Sequence, residues 1–194
     1  MDEGLLEKAD RLARARLSEK RYTHVLGVAD TAESLARAHG LPPEKTRLAA
    51  LLHDAARESS PEALLESARR YGLEADGFTE ERPMLLHGPV AAEEARRELG
   101  VEHPAVLEAV RVHTTGAPEI GPLALAVYVA DKIEPGRDYP SVERLRELAR
   151  EDLREAAKAI LRATESHNEN RGRPTHPDSR RMLAWLEGSE PTEE

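Results

Sequence analysis

An all-α fold is what this 194-residue sequence predicts, on three observations. Apolar residues recur at i, i+3, i+4 and i+7 in every strongly periodic segment, and none alternates at the two-residue period of a strand. Hydrophobic residues make up 39% of the chain but aromatic ones only 3%, so the core has to be built from Leu, Ala and Val, which suits packed helices. Proline and glycine punctuate the periodic segments at their ends, where one fits the first helical turn and the other a left-handed stop.

Each element follows from local signals. Residues 4–20 place Leu5, Leu6, Ala9, Leu12, Ala13 and Leu17 on one stripe between charged faces. A second helix is expected over about 23–38, with Gly40 as its stop. Pro42 and Pro43 open a third, in which Leu48, Ala49, Leu51, Leu52, Ala55 and Ala56 surround His53 and Asp54. Ser60 and Pro61 form a cap and first-turn pair for a helix that Gly72 closes. Residues 74–83 read as a loop with some room for helix. Gly88 and Pro89 start a helix ending at Gly100, and Pro104 starts one ending near His113. Residues 114–122 carry two Gly and two Pro and read as a functional loop. The nearly all-apolar run 123–129 should be the most buried helix. Ser141 caps a long amphipathic helix to about 163; 166–178 reads as polar loop, and 180–187 as a short closing helix carrying Trp185. With no long linker and no internal repeat, residues 1–188 are expected to form one domain, and 189–194 a disordered tail.

Composition narrows function. The chain has no cysteine, which removes disulfides, thiolate metal sites and cysteine nucleophiles. A formal charge of -9 argues against a nucleic-acid partner, which needs a clustered positive field, but not against a small anion at a local site. No apolar run approaches the roughly 20 residues of a membrane span, and the acidic start MDEGLLEKAD is unlike a secretory signal, so a cytoplasmic protein with no membrane partner is expected. Eight histidines in so aromatic-poor a chain ask for an explanation.

His53 and Asp54 interrupt the apolar run LAALLHDAAR, where leaving them unpaired would cost several kcal/mol. A hydrogen-bonded His–Asp pair would answer that cost, and so would a divalent cation shared by imidazole and carboxylate. Two further residues weigh toward the cation. His24 lies on the helix face shared with Val28, Thr31 and Leu35, and Asp131 ends the apolar run LALAVYVAD. Two nitrogens and two oxygens form a ligand set suited to Fe, Mn or Co, with positions open for water. His87, at a helix start, and His113, at a helix end, could hold a second metal or reach phosphate oxygens. Lys132 and Arg137 could pair with Glu134 or Asp138 on the surface. His39, His103, His167 and His176 read as surface residues, the last two able alternatively to cover a site entrance, and Tyr128 and Trp185 as core.

The order of these pieces resembles the HD-domain phosphohydrolases, and more narrowly the YqeK family of symmetrical diadenosine tetraphosphate hydrolases. The matching stretches are RYTHVLGV around His24, LAALLHDAAR around His53 and Asp54, LLHGPVAA around His87, VRVHTTG around His113, and YVADKIEPGR from Tyr128 to Arg137. The resemblance spans roughly 21–157, and HTTG followed by ADKIEPGR is its specific part. It implies a single HD-domain helical bundle. It implies that His24, His53, Asp54 and Asp131 hold the principal metal, with iron the expected ion and manganese or cobalt the alternatives. Asp54 would bridge to any second ion, and His87 and His113 would bind that ion or the phosphates. Asp54, His87 and His113 would be catalytic. Substrate would be bound by His24, His87, His113, Thr114, Thr115, Lys132 and Arg137, with the backbone around Gly116 donating to a phosphate. The implied reaction is in-line attack of an activated water on an inner phosphate of a dinucleoside polyphosphate, giving two ADP from diadenosine tetraphosphate.

Three other functions stay open at this point: a nucleotidase acting on nucleoside monophosphates, a guanosine alarmone hydrolase, and a non-catalytic nucleotide-binding module. The last is disfavoured because none of the six His and Asp residues is lost. A homodimer is left open.

Overall fold

A computed structural model describes residues 3–188; the expected tail 189–194 lies outside the described residues. Among the described residues there are eleven α-helices and no strand. They are α1 (Glu3–Arg16), α2 (Glu19–Ala38), α3 (Pro43–Leu52), α4 (Pro61–Tyr71), α5 (Gly77–Glu81), α6 (His87–Leu99), α7 (Pro104–Val112), α8 (Pro122–Ile133), α9 (Val142–Glu151), α10 (Leu153–Glu169) and α11 (Pro177–Glu187), with a 3-10 turn at Pro83–Leu86 before α6.

The apolar run 123–129 lies within the central helix, as its composition requires. Ten of the twelve residues of α8 are buried, and α2, α3, α7, α9 and α10 pack around it. Alanine does much of the packing: Ala29, Ala32 and Ala36 on α2 and Ala124, Ala126 and Ala130 on α8 are fully buried. Small side chains let helix backbones approach closely, so an aromatic-poor sequence still fills its interior. One connected apolar cluster runs from Ala9 on α1 to Leu186 on α11, with Tyr128 inside it and Trp185 packed on its margin under the Arg154 guanidinium. No described helix is long and apolar enough to cross a membrane.

Several boundaries differ from the sequence reading, each for a local reason. The first apolar stripe is broken after Arg16, and α2 starts at Glu19 rather than near 23, because Ser18 caps it by accepting from the Arg21 N–H at 3.4 Å. Leu17 is buried in the turn between the two helices, which hides the break from a periodicity count. The long helix expected from Ser141 is two helices. Asp152 is extended (φ -148, ψ 111) and its carboxylate accepts from the N–H groups of Arg154 and Glu155, capping α10, which then runs on to Glu169 into the stretch expected to be loop. Inside the expected 74–83 loop, Asp76 caps the short α5. Two of the four histidines read as surface are half-buried. His39 bonds the Ala149 carbonyl at 2.8 Å, and His176 caps α11 and meets the edge of Phe78. His103 and His167 are exposed.

Two glycines position the later site. Gly88, in the first turn of α6, faces the last carbonyls of α7: a Cβ there would lie 2.7 Å from the Arg111 oxygen and 3.0 Å from that of Val110. Gly116 has φ +68, a conformation that side chains resist, and packs against Met182. Gly88→Ala is expected to lower stability by about 1–3 kcal/mol, since backbone rather than a flexible side chain must move. Urea denaturation checks it; an unchanged midpoint would mean that α6 and α7 do not meet this closely.

Candidate metal centre

α3 stops one residue short of His53. The His53 Nδ1–H donates to the Ala50 carbonyl at 2.6 Å, taking an acceptor that the next helical N–H would use, and the following turns tighten to i→i+3 bonds. His53 and Asp54 therefore stand at the helix end rather than within it, aimed at the middle of the bundle. The same device recurs twice. His87, the first residue of α6, donates Nδ1–H to Met84 at 2.5 Å, and His113, capping the end of α7, donates to Val110 at 2.8 Å. In each ring the backbone bond fixes the proton on Nδ1 and leaves Nε2 as a lone pair.

Those lone pairs converge on two carboxylates. His87 Nε2 is 3.2 Å and His113 Nε2 3.6 Å from Asp54 Oδ1, while His53 Nε2 is 3.5 Å from Asp54 Oδ2 and 3.9 Å from Asp131 Oδ1. His24, reaching in from α2, sets Nε2 at 3.1 Å from Asp131 Oδ1 and 3.8 Å from Asp54 Oδ2. The Nε2 atoms of His24 and His53 are buried and make no hydrogen bond. His53, Asp54, His87, His113 and Asp131 are all at most 6% exposed. Ligand atoms of His24, His53 and Asp131, and of His53, Asp54 and His113, lie mutually within 4.8 Å.

Chemically, this is a buried ring of acceptors facing acceptors, which demands positive charge at its centre. Burial raises the Asp54 carboxyl, but the imidazoles of His53, His113 and His87 outweigh it and hold the group well below the usual carboxylate range. Burial lowers His24, yet the carboxylates of Asp131 and Glu134 beside it leave it above its ordinary value. Burial, only partly opposed by Asp54, drives His113 down to about 4, so its ring is neutral at pH 7. Neutral imidazoles and carboxylates are the donor set of Fe, Mn or Co, and Asp54 presents one oxygen toward each half of the cluster.

All six histidine and aspartate residues singled out from the sequence thus meet at one point. Thr114 joins them, its hydroxyl 3.2 Å from His87 Nε2 and 3.0 Å from His113 Nε2. Thr115 lies apart from them: its hydroxyl donates to the Gly116 carbonyl, and the Gly116 N–H donates to Val112. Arg137 does lie 3.7 Å from Glu134, as the surface reading has it, but the closer partner of both cations is Asp131. Lys132 Nζ is 2.6 Å from Asp131 Oδ2, and Arg137 grips both the Asp131 carboxylate and its carbonyl at 2.8 Å.

Sequence reasoning missed three contributors. Glu134 is 4% exposed, accepts from His24 Nδ1 at 3.0 Å and from Gly136 N, and so orients the imidazole from behind. Its signal was its place three residues after Asp131, on the same helical face. Arg21 donates to Asp54 Oδ2 at 3.1 Å. Arg146 clamps the end of α8 through the carbonyls of Ile133, Glu134 and Arg137, and nothing distinguished it among the charges of its amphipathic stretch. Beside the cluster opens a cavity of about 880 Å³, walled in part by Arg21, His24, Glu58, Glu134 and Arg137.

Comparison with known proteins agrees with this geometry. The HD domain family profile matches residues 21–136. The symmetrical bis(5'-nucleosyl)-tetraphosphatase of Bacillus subtilis (strain 168) is 35% identical over 180 residues, covering 93% of this chain and 96% of its own. That of Halalkalibacterium halodurans is 36% identical, covering 89% and 91%. A crystal structure described as a predicted HD superfamily hydrolase involved in NAD metabolism, from Clostridium acetobutylicum, superposes with a TM-score of 0.91 at 34% identity, covering 94% of this chain and 96% of that one. With a profile over more than half of the chain, taking in all six cluster residues, and full-length relatives above 30% identity, this chain belongs to the HD-domain family, in the branch of the symmetrical bis(5'-nucleosyl)-tetraphosphatases.

Proposed function

We propose that this protein is a cytoplasmic, metal-dependent hydrolase that cleaves diadenosine tetraphosphate at its central phosphoanhydride, yielding two ADP. The observation that carries the reading is the convergence of four imidazole Nε2 atoms on Asp54 and Asp131, at the edge of a cavity bordered by Arg21 and Arg137. His24, His53, Asp54 and Asp131 would hold the principal cation, iron being the ion we favour; His87 and His113 would hold a second ion or phosphate oxygens. A divalent cation here supplies Lewis acidity and a water acidified toward neutrality.

The chain's own residues do the rest. A polyphosphate is protected from attack by its negative charge, so a catalyst must first draw that charge out of water. Lys132 and Arg137, which line the cavities beside Asp131, are long enough to reach phosphate oxygens, Arg137 with a two-pronged grip. Thr114 offers a hydroxyl beside His87 and His113, and Glu134 keeps His24 from rotating away. Asp54 and Asp131, held ionised by their neighbours, stay acceptors throughout.

Anion-exchange analysis of the products of diadenosine tetraphosphate, with nucleoside monophosphates and a guanosine alarmone compared at equal metal concentration, tests the reading. ADP as sole product and preferred turnover of the dinucleotide are expected. ATP plus AMP would overturn the symmetric assignment, and faster turnover of either competitor would overturn the substrate class.

A further inference from the structure

Symmetric cleavage poses a problem of register. Four phosphates in a row are chemically repetitive, so an enzyme that seated one nucleoside alone would let the chain slide by one phosphate and give unequal products. Holding the central bond over the reacting centre requires a seat on each side of it.

A second cavity lies where such a seat is needed. About 260 Å³ in volume, it is bounded by Lys132, Arg137 and Tyr139 near the end of α8, by Leu145 on α9, and by Ile160, Ala163, Thr164 and His167 on α10. The α10 residues fall at i, i+3, i+4 and i+7, one continuous stripe. Arg137 borders both this cavity and the larger one beside His24, and with Lys132 it holds Asp131. A phosphate chain crossing from one to the other passes Arg137.

The walls fit a base rather than more phosphate. Leu145, Ile160 and Ala163 are apolar; the Tyr139 hydroxyl is committed to the Lys132 carbonyl, and the Thr164 hydroxyl to that of Ile160. His167 is exposed, and its ring makes no hydrogen bond or ion pair with a described residue, which leaves it free to stack on or bond to a ring. Apolar walls with one or two free polar groups are the usual make-up of a small-molecule seat. We infer that this cavity binds the second nucleoside of the dinucleoside polyphosphate, with His167 as a specificity-determining residue, an inference that rests on the hydrolase reading above.

Two substitutions test it in the metal-loaded protein: His167→Ala, at an exposed position, and Ala163→Trp, which fills the cavity from its lip. The readout is kcat/KM for diadenosine tetraphosphate divided by that for adenosine 5'-tetraphosphate, which has the same phosphate chain and one nucleoside. Each variant should lower this ratio about tenfold, the size of one lost base-stacking contact. Calorimetry with ADP as the probe should count two sites per wild-type chain and one in Ala163→Trp. A ratio within about twofold of wild type in both variants, or two ADP still bound by Ala163→Trp, would overturn the seat. Turnover of neither nucleotide by the wild-type protein would instead defeat the hydrolase reading, and the ADP count would then decide the cavity alone.

Discussion

Asp54→Asn is expected to strip the protein of its metal and lower kcat/KM on diadenosine tetraphosphate by at least about a thousandfold, with the fold intact. Asp54 is the one carboxylate that faces both halves of the cluster: Oδ1 looks toward His87 and His113, and Oδ2 toward His53, His24 and Arg21. Asparagine keeps the volume, and its amide can donate to one of the imidazole lone pairs, so the metal-free protein loses little stability. What it cannot do is supply anionic oxygens on two sides. The check is metal content by mass spectrometry, circular dichroism for the fold, and steady-state kinetics. A folded variant with wild-type metal and rate would remove Asp54 from the mechanism.

The second large effect concerns a residue that touches the reaction only through another. Glu134→Gln should weaken metal affinity about 10–100-fold, the usual cost of disturbing the partner behind a ligating histidine. Glu134 is buried, and its two oxygens hold His24 Nδ1 and the Gly136 N–H. Glutamine fills the same space but loses the charge that makes His24 a better donor, and its amide can present N–H where the imidazole needs an acceptor. Competition with a chelator of known affinity measures the change. Affinity within twofold of wild type would reduce Glu134 to a packing role.

These two residues also mark what the sequence could and could not disclose. Asp54 was legible because it stands with His53 inside an apolar run, where physics demands a partner. His24 and Asp131 were legible for the same reason, since each is polar where its helix faces inward. Glu134 was not, because it sits in a stretch of mixed charges where a solvated ion pair is the ordinary outcome, and only the packing of α2 against α8 buries it. That the Thr115 hydroxyl bonds the Gly116 carbonyl was not legible in HTTG, because which carbonyl lies beside a hydroxyl is set by the turn. The fold divides the same way. Helices with Pro or Gly at their ends were read nearly to the residue, as with α4, between Ser60 and Gly72. Breaks made by a single side chain, at Ser18 and at Asp152, were invisible, because the apolar period runs on through them.

The central claim is that a buried ring of imidazole and carboxylate acceptors exists to hold divalent metal. It is tested most directly by metal stoichiometry: the chelator-stripped protein is titrated with Fe(II) and with Mn(II), alongside Asp54→Asn. Tight binding of one or two ions per wild-type chain, lost in the variant, with hydrolysis of diadenosine tetraphosphate restored in step with occupancy, is the predicted result. A stripped protein that takes up no ion and still hydrolyses the dinucleotide at full rate would contradict it.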